Sequence, residues 1–521
     1  MNEQWRAAFA LLPEYLGQHV LLSAAALVIA IMISLPTALL VAQRPAARTI
    51  VVGLARLVQT IPGLALIALF YPVLLALSGV TQQRFGFSLP TLGFLPALLA
   101  LTVFAILPIL QNAVLGLTGI APDVLEASDA VGMTRRQRLM LVDIPLAAPV
   151  AMAGVRTSAV WTIGAATLAT PVGQTSLGNY IFSGLQTENW VFVLFGCLAA
   201  AVLAIVADSL LALVEHGVKR QRLRLVLTGV VALAIGVAAA GATSLHRTST
   251  YVIAAKNFSE QFILAELIGQ RMRDAGLSSS TKSGLGSAVI FRALAAGDVD
   301  VYVDYTGTLW TNVMQRPDMP PHAQMLDAIT QWMQHERGVK VLGSLGFQNA
   351  YGFVMRRQRA QELGISTIAD LARHAGQLSF GADLEFTVRP EWQSVRNAYG
   401  VNFRTIRTYD PTLMYRALMS GEADVISGFT SDGRIAASDL VVLEDPRSAI
   451  PPYDALLLVT GARAGDARLL DALTPLVGFI NIETMRAANY MVDRDNDKLT
   501  PAAAARMIGA RPLRENNKQG P

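Results

Sequence analysis

The chain's 521 residues allow two or three domains, and a hydrophobic fraction of 53% against a charged fraction of 15% excludes an ordinary water-soluble protein. Forty-two Lys and Arg against 38 Asp and Glu leave a formal net charge of +4. That surplus is small and sits at the flanks of apolar runs, which speaks for membrane topology and against a nucleic-acid surface. The single cysteine, Cys197, excludes an internal disulfide and reads as a small core or lipid-facing residue.

In chain order, Glu3, Arg6 and Glu14 precede the first apolar run, so no cleavable signal peptide is expected. Six apolar runs long enough to span a bilayer follow, at 22–41, 61–77, 92–117, 146–170, 191–214 and 225–242. Arg44 and Arg48 follow the first run, Arg135, Arg136 and Arg138 the third, and Lys219, Arg220, Arg222 and Arg224 the fifth. The alternate loops carry only Arg84. The positive-inside rule puts the three basic loops in the cytoplasm, and the N-terminus and the C-terminal half outside. Pro108 and Gly164 are tolerated breaks within spans. Gln111 and Asn112 are candidates to line a path, with polar span ends the equal alternative.

The segment from Glu126 to Pro145 interleaves Val131, Met133, Leu139, Leu141 and Val142 with charge, which suits short amphipathic helices lying along a membrane face. Its spacing of Glu126, Ala127, Gly132, Ile144 and Pro145 resembles the EAA loop of ABC-importer permeases, with Ser128 in place of the second alanine. The resemblance implies a coupling helix, within 122–145, that docks into a separate ATPase subunit. The chain itself has no phosphate-binding loop and no Gly-Lys dipeptide, so it is expected to be a transporter subunit and not an enzyme.

Beyond Tyr251 the pattern is that of a soluble α/β protein. Two stretches echo each other without a gap: RALAAGDVDVYVDYT at 292–306 and RALMSGEADVISGFT at 416–430. Each reads as a helix end, a glycine stop and a strand, with Val299, Val301 and Val303 alternating in the first. Two such units predict two lobes, with Tyr305 and Phe429 facing each other across a cleft beyond the strand ends. Asp298, Asp300 and Asp304 hint at a calcium loop, but Val303 stands where that loop needs glycine, so no metal site and no cofactor are assigned.

Lys256–Gln261 (KNFSEQ), 297–308, Glu385–Arg389 (EFTVR), Phe429–Gly433 (FTSDG) and Pro451–Tyr453 together resemble the substrate-binding proteins of osmoprotectant importers, which take up glycine betaine, choline, carnitine and related quaternary-ammonium solutes. The resemblance covers the whole chain, as a permease with its binding protein fused behind it. It implies an all-α polytopic membrane permease followed by a two-lobed α/β domain of the type II periplasmic-binding-protein (Venus-flytrap) kind. The implied boundaries are 1–222 for the permease, 223–249 for a last span and linker, and 250–521 for the binding domain. Lobe 1 takes about 250–348 and 453–512, lobe 2 about 349–452, with crossings near 348–353 and 444–453.

By the same resemblance, Tyr305, Tyr351, Phe429 and Tyr453 box a methylated ammonium, Phe429 replacing a usual tyrosine. Asn257, Gln261 and Thr430 become donors to a ligand carboxylate. Arg389 is either a donor or a brace, and Ser287 stands beside an Ala288 that lacks the polar group of relatives. Glu385, Phe386 and Trp392 are near but unplaced. Ergothioneine, whose trimethylammonium suits the same box, is the alternative cargo. The implied partners are two copies of an ABC ATPase, a second permease copy forming a homodimer, membrane lipid and the small-molecule ligand, with no nucleic acid. The implied location is the bacterial cytoplasmic membrane, multi-pass, with the binding domain on the periplasmic or extracellular side. A membrane-anchored sensor is the rival class. A membrane enzyme is disfavoured, because His216, His246, His322, His335 and His374 share no ligand spacing.

Overall fold

The computed structural model describes residues 3–510 apart from 87–88, 188, 246–250, 317, 319 and 495, so most of the expected linker and the C-terminal tail lie outside the described residues. The chain divides into two compact units, a helical one over most of the residues before Tyr251 and an α/β one that holds the residues from Tyr251 onward together with Ser183–Val191.

Six helices among the described residues are long and apolar enough to cross a membrane. The first begins at Glu3 and runs to Val41, well before the expected start at residue 22. Its leading turns carry charge, so hydropathy alone does not reveal them. The segment Pro45–Gln59, read from sequence only as a basic loop, is an amphipathic helix with Pro45 at its first turn, where a missing N–H costs nothing. The remaining spans are Gly63–Phe85, Phe94–Thr118, Ile144–Ala166, Trp190–Lys219 and Leu223–Leu245.

Small residues set the tightest crossing in this unit. A Cβ on Gly154 would come within 2.6 Å of the Pro108 carbonyl and 2.7 Å of Asn112 Cβ, and one on Gly116 within 2.8 Å of the Ala147 carbonyl. Glycine therefore lets helices Phe94–Thr118 and Ile144–Ala166 touch backbone to backbone. Asn112 packs into this crossing and donates to Pro108 O at 2.8 Å. Pro108 has no N–H for the carbonyl of Phe104, and Gln59 Nε2 reaches that carbonyl at 3.5 Å. Arg156 is forked onto Asp208 at 2.9–3.0 Å and reaches Glu215 at 2.8 Å, tying Ile144–Ala166 to Trp190–Lys219. Charge inside a span is tolerated when paired in this way. Leu194, Leu198, Val202 and Ile205 recur every third or fourth residue on the outside of Trp190–Lys219, as a lipid-facing stripe requires.

The segment after the third span folds as two short helices, Pro122–Ala130 and Arg135–Arg138. Gly132 turns between them at φ +77°. Thr134 and Gln137 form a reciprocal capping box, and Arg138 pairs with Asp129 at 3.2 Å. Glu126 and Ala127 are exposed, while Ser128 is buried and donates to Leu125 O at 2.7 Å. Val131, Met140 and Leu141 are exposed apolar side chains on the same segment.

The α/β unit contains two five-stranded sheets built to one plan. Its strands are β1 (Tyr251–Lys256), β2 (Ser279–Leu285), β3 (Val301–Tyr305), β4 (Lys340–Gln348), β5 (Tyr351–Arg356), β6 (Ser379–Asp383), β7 (Thr405–Tyr409), β8 (Val425–Phe429), β9 (Leu440–Val442) and β10 (Asp454–Val459). The orders are β2-β1-β3-β10-β4 and β7-β6-β8-β5-β9. In each sheet three parallel strands come first, and the fourth strand runs antiparallel to the third. The two echoing sequences occupy equivalent places: helix Ser287–Ala296 leads into β3, and Pro411–Ser420 into β8. Gly297 and Gly421 both stop their helices at φ +82°, a backbone conformation that glycine adopts without strain. The chain passes between sheets twice, at Asn349-Ala350 and between β9 and β10.

Candidate ligand-binding site

A cleft of about 500 Å³ opens between the two sheets, among the carboxyl ends of β1, β2, β3, β6, β7 and β8. Strand geometry brings its aromatic wall together. Tyr351 starts β5 and Phe429 ends β8, and the two are register partners across that antiparallel pair. Opposed residues share a face, and their ring centroids are 4.9 Å apart. Phe258, just before helix Ser259–Asp274, stacks on Phe429 at 5.7 Å with 9° between the planes. Tyr305, the last residue of β3, lies 6.3 Å from Phe258. Tyr453, just before β10, stands edge-on to Tyr351 at 6.0 Å and 86°. The result is a five-ring box drawn from both lobes.

Polar groups complete the wall. Arg389 Nη2 pairs with Glu385 and donates to Ser287 Oγ at 3.3 Å. Arg389 Nη1 donates to Thr308 Oγ1 at 3.4 Å, and the guanidinium lies 5.4 Å from the Tyr351 ring. Lys256 Nζ, held by Asp304 at 2.5 Å, lies 5.2 Å from the Tyr305 ring. Asn257 lines the cleft, and its buried Oδ1 has no protein partner among the described residues. Asp383 sits behind the Glu385 turn, its Oδ1 accepting from the Glu385 and Phe386 N–H groups at 2.9 and 3.0 Å. Burial pushes its carboxyl up to about 6.

Seven of the nine residues singled out from sequence line the cleft: Tyr305, Tyr351, Phe429, Tyr453, Asn257, Ser287 and Arg389. Gln261 and Thr430 do not. Gln261 is buried one helical turn behind Phe258, where its amide bonds Tyr305 Oη and Val303 O at 3.0 Å each and accepts from Lys256 N–H. It bonds the box from behind without lining the cleft. Thr430 follows Phe429, and neighbouring strand residues point to opposite faces. Its hydroxyl accepts from Ala350 N–H at 2.9 Å on the far side, and its carbonyl accepts from Arg486. Phe386 and Trp392 belong to the core beneath Tyr351, whereas Glu385 lines the cleft. Phe258, Lys256 and Asn349 were not singled out, although the first two lie within the KNFSEQ stretch.

Comparison with known proteins covers both units. Residues 249–508 match the family described as the substrate binding domain of ABC-type glycine betaine transport systems. Residues 23–220 match the binding-protein-dependent transport system inner membrane component. The ergothioneine transport permease/ergothioneine binding protein EgtU of Helicobacter pylori (strain G27) is 30% identical over 467 residues, 86% of this chain and 81% of that protein. The glycine betaine/carnitine/choline transport system permease protein OpuCB of Bacillus subtilis (strain 168) is 36% identical over 208 residues, 40% of this chain and 88% of its own length. Among solved structures, a glycine betaine/carnitine/choline ABC transporter is 29% identical, covering 49% of this chain and 96% of its own, with a TM-score of 0.44. The chain therefore belongs to the family of ABC importer subunits in which a multi-pass permease is fused to a substrate-binding domain of the glycine betaine transport type.

Proposed function

We propose that the α/β domain captures a trimethylammonium betaine and delivers it to its own permease for ATP-driven import. The observation that carries this reading is the five-ring box of Phe258, Tyr305, Tyr351, Phe429 and Tyr453. A quaternary ammonium has no N–H to donate, so shape and electron-rich ring faces are its means of recognition. Each ring contributes about 0.5–2 kcal/mol by cation–π attraction. Arg389, Ser287 and Asn257 line the same cleft and supply donors for a carboxylate.

Within this class ergothioneine is favoured over the compact osmolytes. A cleft of about 500 Å³ is roomy for glycine betaine. The Asn257 Oδ1 and the Glu385 carboxylate on its wall are acceptors, and they suit the N–H of a ligand imidazole, which glycine betaine and carnitine lack. A relative that spans both units carries ergothioneine in its name.

In this proposal the chain lies in the bacterial cytoplasmic membrane with its binding domain outside. Two permease copies enclose the path. Two ATPase subunits dock on the segment from Glu126 to Pro145, where Gly132 turns the chain and Val131, Met140 and Leu141 offer apolar contact. Ile144 and Pro145 join that segment to the fourth span. The lobes close by bending at 349–350 and 443–453, as hinged binding proteins do. The test is uptake of labelled ergothioneine, choline and glycine betaine by vesicles carrying the chain with its ATPase. ATP-dependent uptake of one of them, weakened at limiting substrate by Phe429→Ala, is expected. Binding without ATP-dependent uptake would favour a membrane-anchored sensor.

A further inference from the structure

Two of the box tyrosines are backed by acids that do not line the cleft. Tyr305 Oη donates to Glu260 Oε1 at 2.6 Å, and Tyr453 Oη donates to Glu391 Oε1. Glu260 is 2% exposed and Glu391 0%. The other groups on Glu260 are neutral donors, with Asn349 Nδ2 and Asn489 Nδ2 at 3.0 Å each, and no Lys or Arg among the described residues comes within ion-pair distance. Glu391 takes a further bond from Thr311 Oγ1 at 2.8 Å, and Arg389 Nη1 stands 3.9 Å away. A buried carboxylate with no counter-ion is costly. Arg389 answers Glu391, but behind the Tyr305 ring, which would face an ammonium, the positive charge missing at Glu260 is the ligand's.

Resting on the cage reading above, we propose that Glu260 and Glu391 are positioning residues that make the box selective for a cation. By accepting the phenol protons they push electron density into the Tyr305 and Tyr453 rings, and they place negative charge behind both. Burial, and after it the Glu260 carboxylate, holds the Tyr305 phenol well above its ordinary range, so the phenol stays the donor. Burial raises Glu260 above the usual carboxylate range, and hydrogen bonds from Ser431, Tyr305, Asn489 and Asn349 oppose that shift. A bound cation acts in the same direction as those bonds. Glu391 adds a second consequence. It starts helix Pro390–Tyr399 in lobe 2, whereas Tyr453 and Thr311 belong to the lobe 1 side. Its bonds from Tyr453 and Thr311 exist only when the lobes meet, so closure and charging of the Tyr453 ring are one event.

The test compares choline with its neutral carbon isostere, 3,3-dimethylbutan-1-ol, on the detergent-solubilised full-length chain. The wild type is expected to prefer choline. Glu260→Gln is expected to weaken choline about tenfold, the scale of one charge acting on a cation through protein, and to leave the alcohol unchanged. Glu391→Gln, on the opposite lobe, is expected to do the same and stands in if the first variant fails to fold. Parallel loss of both probes in a folded variant would make the acids structural only and overturn the proposal. A wild type that takes neither choline nor ergothioneine would remove the cage reading itself, and the proposal with it; where ergothioneine alone binds, its unchanged affinity in both folded variants would overturn the proposal.

Discussion

Replacing Gly307 by alanine separates backbone effects from packing at the box. Gly307 lies at φ −61° and ψ −43°, which alanine adopts freely. On chain entropy alone Gly307→Ala would stabilise the fold by about 0.4–1 kcal/mol. Its flank, however, is filled by the Tyr453 ring. An added Cβ would come within 2.7 Å of Cδ2 and closer still to Cζ and Cε2. The ring has little freedom to retreat, because Glu391 holds its hydroxyl and Tyr351 stands edge-on at 6.0 Å. Overpacking of this kind costs about 1–3 kcal/mol, which exceeds the entropic gain. A Tyr453 ring pushed out of the box forfeits its cation–π share of about 0.5–2 kcal/mol, or roughly two- to thirtyfold in affinity. Calorimetric titration of full-length Gly307→Ala with ergothioneine and choline, alongside a thermal melt, measures both effects. A variant that melts higher than the wild type and binds as tightly would refute the reasoning.

Phe429→Leu keeps apolar volume but removes a π face, so titration should show affinity falling by about two- to thirtyfold while the melting temperature stays nearly unchanged. A Cβ on Gly132 meets no atom within 4 Å, but Gly132→Val forces a β-branched residue to φ +77°. Ligand binding should persist while ligand-stimulated ATPase activity of the assembled importer is lost. Asp383 has an ordinary value of 3.8 and a folded value of about 6, so the folded state takes up its proton first as pH falls. Its burial penalty is thus present at pH 7 and relieved between about pH 6 and 4, by at most on the order of 3 kcal/mol. Melts at pH 7 and pH 5 should show Asp383→Asn more stabilised over wild type at pH 7 than at pH 5, and an equal difference at both would contradict this assignment.

The parts of the fold legible in the sequence are those where one physical rule dominates. Six spans follow from unbroken apolar length, β3 follows from valine alternation after a glycine stop, and β8 from the echo of that stretch after its own glycine. The β4 segment was harder to read because Gly343 and Gly346 interrupt its pattern, and the pairing of β10 with β3 and β4 is a long-range contact without a local signal. In the cleft, aromatic residues at strand ends were readable. Alternation from Phe429 turns Thr430 away from the cleft, and helix phase puts Gln261 behind Phe258. Glu260 and Glu391 carry no sequence signal of their own, since a carboxylate on the first turn of a helix reads as an exposed cap until its burial is seen.

The central claim is that the box holds a trimethylammonium group. The most direct measurement is calorimetric titration of the solubilised full-length chain with ergothioneine, glycine betaine, choline and carnitine, with Tyr305→Ala as control. The account predicts saturable binding, tightest for ergothioneine and lost in the variant. A well-folded chain that binds none of the four, or one bound equally by Tyr305→Ala, would contradict it.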